Sequence, residues 1–277
     1  MELDPKTMNE QRWGTALKAA REAAEAAGEV IRHYWRRGVE VEIKSDATPV
    51  TIADREAEQA IRAILAPALP GAAIYGEEFG LDNDSAELLW LVDPLDGTKS
   101  FVRRTPFFST QIALMYRGEL VLGVSSAPIY GETMWASIGA GSWFNDQRVQ
   151  VAATADMAQA SLSIGNVKTL TADARWQALG QMIRDSNRIR GYGDFCHYHL
   201  LARGGLDLVI ESDVNILDVA ALAVIVREAG GVFTDLEGKA PNLETRSVLA
   251  GTPAIHAQAL GRFGAGNSER GTGNAKT

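Results

Sequence analysis

The sequence predicts a layered α/β (α+β) protein rather than a purely parallel, doubly wound sheet. Apolar residues recur at helical spacing near the N-terminus, three apolar runs separated by turns occupy the middle, and strands alternate with helices in the second half. A group of strands beside alternating units is typical of layered αβ proteins. The length of 277 residues suits one large domain or two tightly packed halves.

The first half is predicted to contain two helices and a mainly antiparallel group of strands. Trp13, Leu17 and Ile31 share one face of the first helix, which Gly38 ends. Alternating or continuous apolar runs predict the strands. In chain order, the elements are a helix over 9–37, a strand over 39–44, a helix from 51 or 54 to 65, and strands over 72–75, 88–92, 107–116, 120–127 and 133–137.

The second half is predicted to alternate strands with helices. Its elements are strands over 162–164, 188–190, 206–210 and 232–234, and helices over 172–184, 195–202 and 219–229. We therefore divide the chain into an N-terminal half over 1–147 and a C-terminal half over 148–263. The Gly-rich, polar residues 264–277 predict a disordered tail. Arg188 and Arg190 could lie near the functional site or on an edge strand, and we favour the edge strand.

Composition limits the classes of function. The net charge is −8 and no basic run is present, which argues against a nucleic-acid partner. The single cysteine, Cys196, excludes an internal disulfide framework and fits a reducing cytoplasm. No apolar run is long enough to span a bilayer. We therefore expect a soluble, cytoplasmic protein that binds neither nucleic acid nor membrane. Cys196, His197 and His199 lack the further ligand pair that a structural zinc site needs.

The segment Asp93-Pro94-Leu95-Asp96-Gly97-Thr98 is the strongest chemical signal. It follows an apolar strand over 88–92, so its two carboxylates lie where a strand ends and a turn or helix begins. Carboxylates in such a place bind hard cations such as Mg²⁺. Backbone amides at the start of a helix bind phosphate. The segment therefore offers both halves of a site for metal-assisted phosphoryl transfer.

Further carboxylates also lie at the ends of predicted elements. Asp54 and Asp218 each open a helix, where an N-cap is the ordinary role of a single aspartate. Glu77 and Glu211 each follow a strand, where an acidic residue is usually solvated. Functional loops gather at such ends. Several carboxylates in one place would repel each other unless cations bound between them, so the combination favours a metal site.

Three stretches together carry a family resemblance: Glu77-Glu78, Asp93–Thr98 and Asp218-Val219-Ala220-Ala221. In this order they resemble the inositol monophosphatase superfamily over residues 13 to 263. The resemblance implies a layered αβαβα sandwich of the inositol monophosphatase and fructose-1,6-bisphosphatase type. It also implies a Mg²⁺-dependent, lithium-sensitive phosphomonoesterase that forms a homodimer. Within the superfamily, the stretches 96–103, 191–195 and 218–222 are most similar to bacterial histidinol-phosphate phosphatases.

The resemblance implies a role for each matching residue. The first Mg²⁺ would be held by Glu77, Asp93 and the backbone carbonyl of Leu95, the second by Asp93, Asp96 and Asp218, and a weaker third shared by Glu77. Glu77, Thr98 and Asp54 would orient the attacking water and help to take its proton. Gly97, Thr98 and Lys99 would offer backbone amides to the phosphate. Ser100 and Leu217 stand where superfamily members often carry Asn and Trp, which bears on the shape of the substrate pocket.

The identity of the substrate stays open between two classes. Asp194 and Glu211 are the side chains we place around the leaving group, and two anions suit a cationic group such as L-histidinol better than a neutral polyol. Carboxylates also accept hydrogen bonds from hydroxyl groups, so an inositol or another cyclitol or sugar monophosphate is the alternative. A third hypothesis, from another class, is a silent relative that binds phosphate or metal without catalysis. The role of Lys44 beside the metal cluster is left open.

Overall fold

The structure is a computed structural model that describes residues 5–38, 41–43, 49–83, 86–172 and 175–268. The helices are α1 (Pro5–Arg37), α2 (Ile52–Ala68), α3 (Thr98–Val102), α4 (Val167–Ala172), α5 (Trp176–Asp185), α6 (Asp194–Ala202), α7 (Ile216–Glu228) and α8 (Pro253–Ser268). The strands of the first half are β1 (Val41–Ile43), β2 (Pro49–Thr51), β3 (Ala73–Gly76), β4 (Gly80–Leu81), β5 (Leu88–Asp96), β6 (Ser109–Tyr116), β7 (Glu119–Ala127), β8 (Glu132–Ser137), β9 (Gly141–Phe144) and β10 (Gln147–Val149). Those of the second half are β11 (Ser161–Ile164), β12 (Arg188–Arg190), β13 (Leu208–Ser212), β14 (Val232–Thr234) and β15 (Ser247–Gly251).

The chain forms two compact units, and the first comprises Met1–Val149 together with Leu217–Glu228. Its sheet has the order β10-β9-β8-β7-β6-β5-β3-β4, in which only the pairing of β3 with β5 is parallel. Helices α1 and α2 pack together, with α1 also against β7 and α2 against β5. Alanines on the buried face of α1 permit this close packing around Ile31, Ile61 and Trp90.

Residues 217–228 of helix α7 belong to the first unit although they lie between the two segments of the second unit in the chain. The helix packs where β7 has a glycine, Gly123. A Cβ atom on Gly123 would lie 2.4 Å from the carbonyl oxygen of Ala221, so the missing side chain lets the backbone of the helix approach the strand. The contact lies one turn from Asp218 and therefore anchors the start of α7. The predicted boundary at residue 147 lies near the end of the first segment of the first unit, but one boundary cannot describe a unit that is built from two separate segments of the chain.

The second unit comprises Gln150–Ile216 and Ala229–Thr277. Its sheet has the order β12-β11-β13-β15-β14, parallel from β12 to β13 and antiparallel beyond. Its core includes Leu162, Leu208, Ile210 and Leu249, with α8 contributing Ile255. Strand β12 lies at the edge of the sheet, which confirms the interpretation of Arg188 and Arg190.

The α/β class and the antiparallel middle of the chain are confirmed, and several elements differ from the predictions. Strands β9, β10 and β15 and helix α8 were not predicted. Strand β15 shows no alternation of polar and apolar residues, and the glycines within α8 weaken its helical signal. Helix α8 also extends to Ser268, into the segment predicted to be a disordered tail, whereas 269–277 and Lys44 lie outside the described residues. Within the described part, no helix combines the length and apolar composition needed to cross a membrane.

Candidate active site

The start of α2 places Asp54 beside Thr98. Thr51 caps the helix, and its backbone N–H and hydroxyl donate to Asp54 Oδ2 at 2.8 and 2.6 Å. The other carboxylate oxygen, Oδ1, accepts a hydrogen bond from the Thr98 hydroxyl at 2.9 Å. The structure thus brings together the two residues that were expected to form a pair. A threonine hydroxyl that donates to a carboxylate keeps its lone pairs for a hydrogen bond from water.

Opposing effects act on the pKa of the Asp54 carboxyl. Burial raises its pKa, hydrogen bonds from Thr51 and Thr98 lower it, and the nearby charge of Glu77 raises it, with a net increase over the ordinary value. A less acidic carboxyl is a better proton acceptor. The pair is therefore suited to orient a water molecule and to receive its proton.

The Asp93–Thr98 segment is shaped by an irregularity at the end of β5. The strand extends to Asp96, four residues further than predicted, and its register with β6 shifts between Asp93 and Asp96. Gly97 then adopts φ +93°, and a Cβ atom there would lie 2.6 Å from the carbonyl oxygen of Phe107. Only glycine fits this position without strain. Helix α3 begins at Thr98, whose hydroxyl also lies 3.1 Å from the carbonyl oxygen of Leu95.

Three carboxylates converge at this point. Oxygen atoms of Asp93, Asp96 and Asp218 all lie within 4.8 Å of one another. Burial raises the pKa of Asp93 well above its usual range, and the charges of Glu77, Asp96 and Asp218 raise it further, so Glu77 also lies close to this group. Such a concentration of like charge is stabilised by a bound cation. An all-oxygen donor set suits hard ions such as Mg²⁺, Mn²⁺ or Ca²⁺.

A chain of buried polar side chains supports Asp96 from β6 and β7. The Ser109 hydroxyl lies 3.3 Å from Asp96 Oδ2, and Gln111 Nε2 donates to the hydroxyls of Ser109 and Ser125 at 2.8 and 3.0 Å. Because Ser109 accepts from Gln111, its own proton is available to Asp96. Sequence reasoning missed these residues, although three consecutive polar residues at the start of an otherwise apolar strand, beginning at Ser109, were a usable signal.

The predicted leaving-group residues lie together in the second unit. Asp194 begins α6 with φ +46°. Burial raises its pKa to about 6, with a further increase from the charge of Glu211 and a decrease from His197. Glu211 is nearly buried in β13, where its Oε2 accepts from the Tyr198 hydroxyl at 2.7 Å and lies 3.0 Å from His197 Nε2. His197 is thus a partner of Glu211, a contact that the sequence did not indicate.

Comparison with known proteins identifies the family. A model of the inositol monophosphatase family matches residues 13–265. The chain belongs to the inositol monophosphatase family. The chain is 39% identical to Bifunctional phosphatase IMPL2, chloroplastic, of Arabidopsis thaliana, over 86% of this chain and 71% of that protein. It is 36% identical to a histidinol-phosphatase of Mycobacterium tuberculosis, over 90% and 98% of the two chains. The solved structure of an inositol monophosphatase from Zymomonas mobilis matches with a TM-score of 0.81 and 30% identity, over 91% and 98% of the two chains.

Family membership confirms the predicted fold and class of reaction. The solved structures that match this chain have the inositol monophosphatase fold, which agrees with the predicted layered αβαβα sandwich. Members of this metal-dependent family hydrolyse phosphate monoesters, so this protein is a phosphoric monoester hydrolase that acts on a phosphorylated small molecule. The acidic cluster around Asp93 fits the metal that such an enzyme needs.

Proposed function

We propose that this protein is a Mg²⁺-dependent histidinol-phosphate phosphatase that releases L-histidinol and phosphate. The observation that carries the reaction is the all-oxygen cluster of Asp93, Asp96 and Asp218 beside the hydrogen-bonded pair of Asp54 and Thr98. The preference for a cationic leaving group rests on Asp194 and Glu211. Histidinol-phosphatases among the relatives, at about 35% identity, support the same choice.

The proposed metal ligands are those that the resemblance implied. Glu77, Asp93 and the carbonyl of Leu95 would hold one ion, and Asp93, Asp96 and Asp218 another. The raised pKa of Asp93 supports this assignment, because burial and then the charges of Glu77, Asp96 and Asp218 disfavour its ionised form, and a bound cation would offset both effects. When bound, Mg²⁺ supplies acidity to water and neutralises charge on the phosphate.

The residues around the cluster would prepare the water and hold the phosphate. The Thr98 oxygen accepts a hydrogen bond from the attacking water, while its own proton points to Asp54 Oδ1. The bond from phosphorus to the water oxygen would form as the bond to the ester oxygen breaks, and the proton of the water would pass towards Thr98 and Asp54, assisted by Glu77. The leaving alkoxide would take a proton from solvent water and depart as the alcohol. Backbone N–H groups of Gly97, Thr98 and Lys99, which open α3 and lack intrahelical partners, would bind phosphate oxygens.

Asp194 is the residue that we propose selects the alcohol. With a pKa of about 6, its carboxyl is ionised at neutral pH and can pair with an ammonium or an imidazolium. A hydrogen bond to a charged group contributes about 1.5–3 kcal/mol, which corresponds to roughly 10- to 100-fold in rate. Glu211, held by Tyr198 and His197, would supply the second negative charge.

The test compares kcat/KM on L-histidinol phosphate, myo-inositol 1-phosphate and p-nitrophenyl phosphate in Mg²⁺. We expect a clear preference for L-histidinol phosphate, and we expect Asp194→Asn to reduce turnover of that ester by about 10-fold or more. Turnover of p-nitrophenyl phosphate, whose leaving group carries no positive charge, serves as the control and should change little. A preference for the inositol ester would refute the proposed substrate. Equal losses on both esters would refute ion pairing by Asp194.

The non-catalytic alternative predicts no phosphate release from any ester. Asp96→Asn separates the two hypotheses, because it should abolish turnover in an enzyme. We further propose a cytoplasmic homodimer, which is supported by the family resemblance and, for the compartment, by the bacterial relatives. Light scattering on a sizing column tests the dimer, and a monomer at micromolar concentration would refute it.

A further inference from the structure

We propose that Glu58 and Arg62 are positioning residues that set the place of Glu77 in the metal site. Both residues lie on α2, and neither was singled out by its sequence context. The Glu58 side chain is fully buried and that of Arg62 is about one fifth exposed, at 0% and 20%. The inference rests on the proposed role of Glu77 as a metal ligand, and it names the two residues that hold this ligand in place.

The carboxylate of Glu58 contacts the chain on both sides of Glu77. Its Oε2 accepts the backbone N–H of Glu78 at 2.7 Å. Its Oε1 lies where a side chain on Gly76 would begin, since a Cβ atom there would be only 1.9 Å away. The glycine therefore lets the carboxylate press against the backbone. Glu77 therefore lies between Gly76 and Glu78, both of which contact the buried carboxylate of Glu58.

Arg62 completes the support by crossing the turn that follows Glu77. Its Nε donates to Glu58 Oε1 at 2.8 Å, and its Nη2 donates to the carbonyl of Gly80 at 2.8 Å. Its Nη1 lies 3.3 Å from Asp82 Oδ2, and the other oxygen of Asp82 accepts the N–H of Ile74 at 2.8 Å. One guanidinium thus joins both arms of the hairpin between β3 and β4.

The helix links this support to the catalytic pair. Glu58 follows Asp54 by four residues, so both side chains lie on one face of α2. Asp54 contacts Thr98, and Glu58 contacts the loop of Glu77. Glu77 in turn lies close enough to raise the pKa of both Asp54 and Asp93. A single helix face therefore sets the geometry between the water-orienting pair and the metal ligands.

Titration calorimetry with Mn²⁺ on the full chain tests the role without any substrate. Loss of a residue that supports metal ligands typically weakens metal affinity by about 10- to 100-fold. We expect Glu58→Gln to raise the Kd for Mn²⁺ within this range, because the amide cannot accept from both Arg62 and Glu78. Arg62→Lys should give a smaller increase, since an ammonium pairs with Glu58 but cannot span the hairpin. Arg117→Gln, which breaks an exposed pair with Glu87 in the same unit, is the control and should leave the Kd unchanged.

A second readout separates positioning from general destabilisation. In Glu58→Gln, the Mg²⁺ concentration for half-maximal phosphatase activity should rise in parallel with the Kd, while kcat at saturating Mg²⁺ recovers to within about threefold of the wild type. An unchanged Kd in a folded Glu58→Gln variant would overturn the positioning role alone. If that variant does not fold, an unchanged Kd in Arg62→Lys would overturn it. A wild type that binds no divalent cation would instead refute the proposed metal site, and with it this role.

Discussion

Replacement of Asp194 by asparagine should stabilise the protein at neutral pH, and the pH dependence of the gain can be worked out from the structure. Burial raises the pKa of Asp194 from 3.8 to about 6. The folded state then binds the proton more tightly than the unfolded state, so stability is lost as pH rises from about 4 to about 6. A difference of about 2.2 pH units at about 1.36 kcal/mol per unit gives a ceiling of about 3 kcal/mol. Because the side chain is partly exposed, we expect about 1–3 kcal/mol.

The assay is urea denaturation of the wild type and Asp194→Asn between pH 4.5 and 7.5, in EDTA so that no cation is bound. The variant should be more stable at pH 7.5, and the difference should shrink towards pH 4. Asp213→Asn is a matched control, because Asp213 is exposed and has a similar left-handed backbone at φ +57°. Any general preference of asparagine for that conformation should appear there as a gain that does not vary with pH.

The conclusion depends on how the change in stability of Asp194→Asn varies with pH compared with that of Asp213→Asn. A gain for Asp194→Asn that is the same at every pH would show that the backbone conformation, and not the buried charge, is responsible. A loss of stability at pH 7.5 would refute the reasoning, because it would mean that the ionised carboxylate is stabilised in the folded protein. Asp194→Asn is also expected to reduce turnover of histidinol phosphate. The same ionised carboxylate would then destabilise the folded protein and bind the substrate.

Three further predictions concern the first unit. Thr51→Ala should cost about 1–2 kcal/mol of unfolding free energy in urea, because it removes the helix cap and a donor to Asp54, and a loss below about 0.3 kcal/mol would contradict the capping geometry. Gly123→Ala should destabilise by about 1–3 kcal/mol because its methyl group would meet Ala221, whereas Gly14→Ala, in open space on α1, should be neutral or stabilising. Mg²⁺ at about 100 times its Kd should add about 2.7 kcal/mol, seen as a rise in Tm that EDTA reverses, and no rise would argue against the acidic cluster as a metal site.

Much of the active-site chemistry could be predicted from local sequence. The Asp93–Thr98 motif was visible because an apolar strand leads into two carboxylates and a glycine, and each of these features has a local cause. Asp54 and Asp218 were found because each is an acidic residue near the start of a predicted helix, and the structure places both in the first turn of a helix. Their pairing with Thr98 and Asp93 came from a family resemblance, since sequence spacing carries no information on contacts between residues 44 positions apart.

The supporting residues could not be predicted in this way. Glu58 has the ordinary sequence context of a helical glutamate and would be expected to be solvated, yet it is fully buried against Gly76. The polar run that begins at Ser109 marks Ser109 and Gln111 as unusual in an apolar strand, but it does not identify their partners, Asp96 in β5 and Ser125 in β7. Each of these roles depends on which helix, strand or loop packs against the residue in the folded protein.

The sequence by itself therefore determined the class of fold, the acidic motif and the family, because these depend on local periodicity and on short runs of residue types. Only the tertiary structure decided that residues 217–228 of α7 return to the first unit, that Ser109 and Gln111 support Asp96, and that Glu58 and Arg62 contact the loop of Glu77. The physical reason is that burial, mutual charge and hydrogen-bond geometry are properties of neighbours in space. Neighbours in space are set by the packing of distant segments, here at a glycine in β7 and along one face of α2.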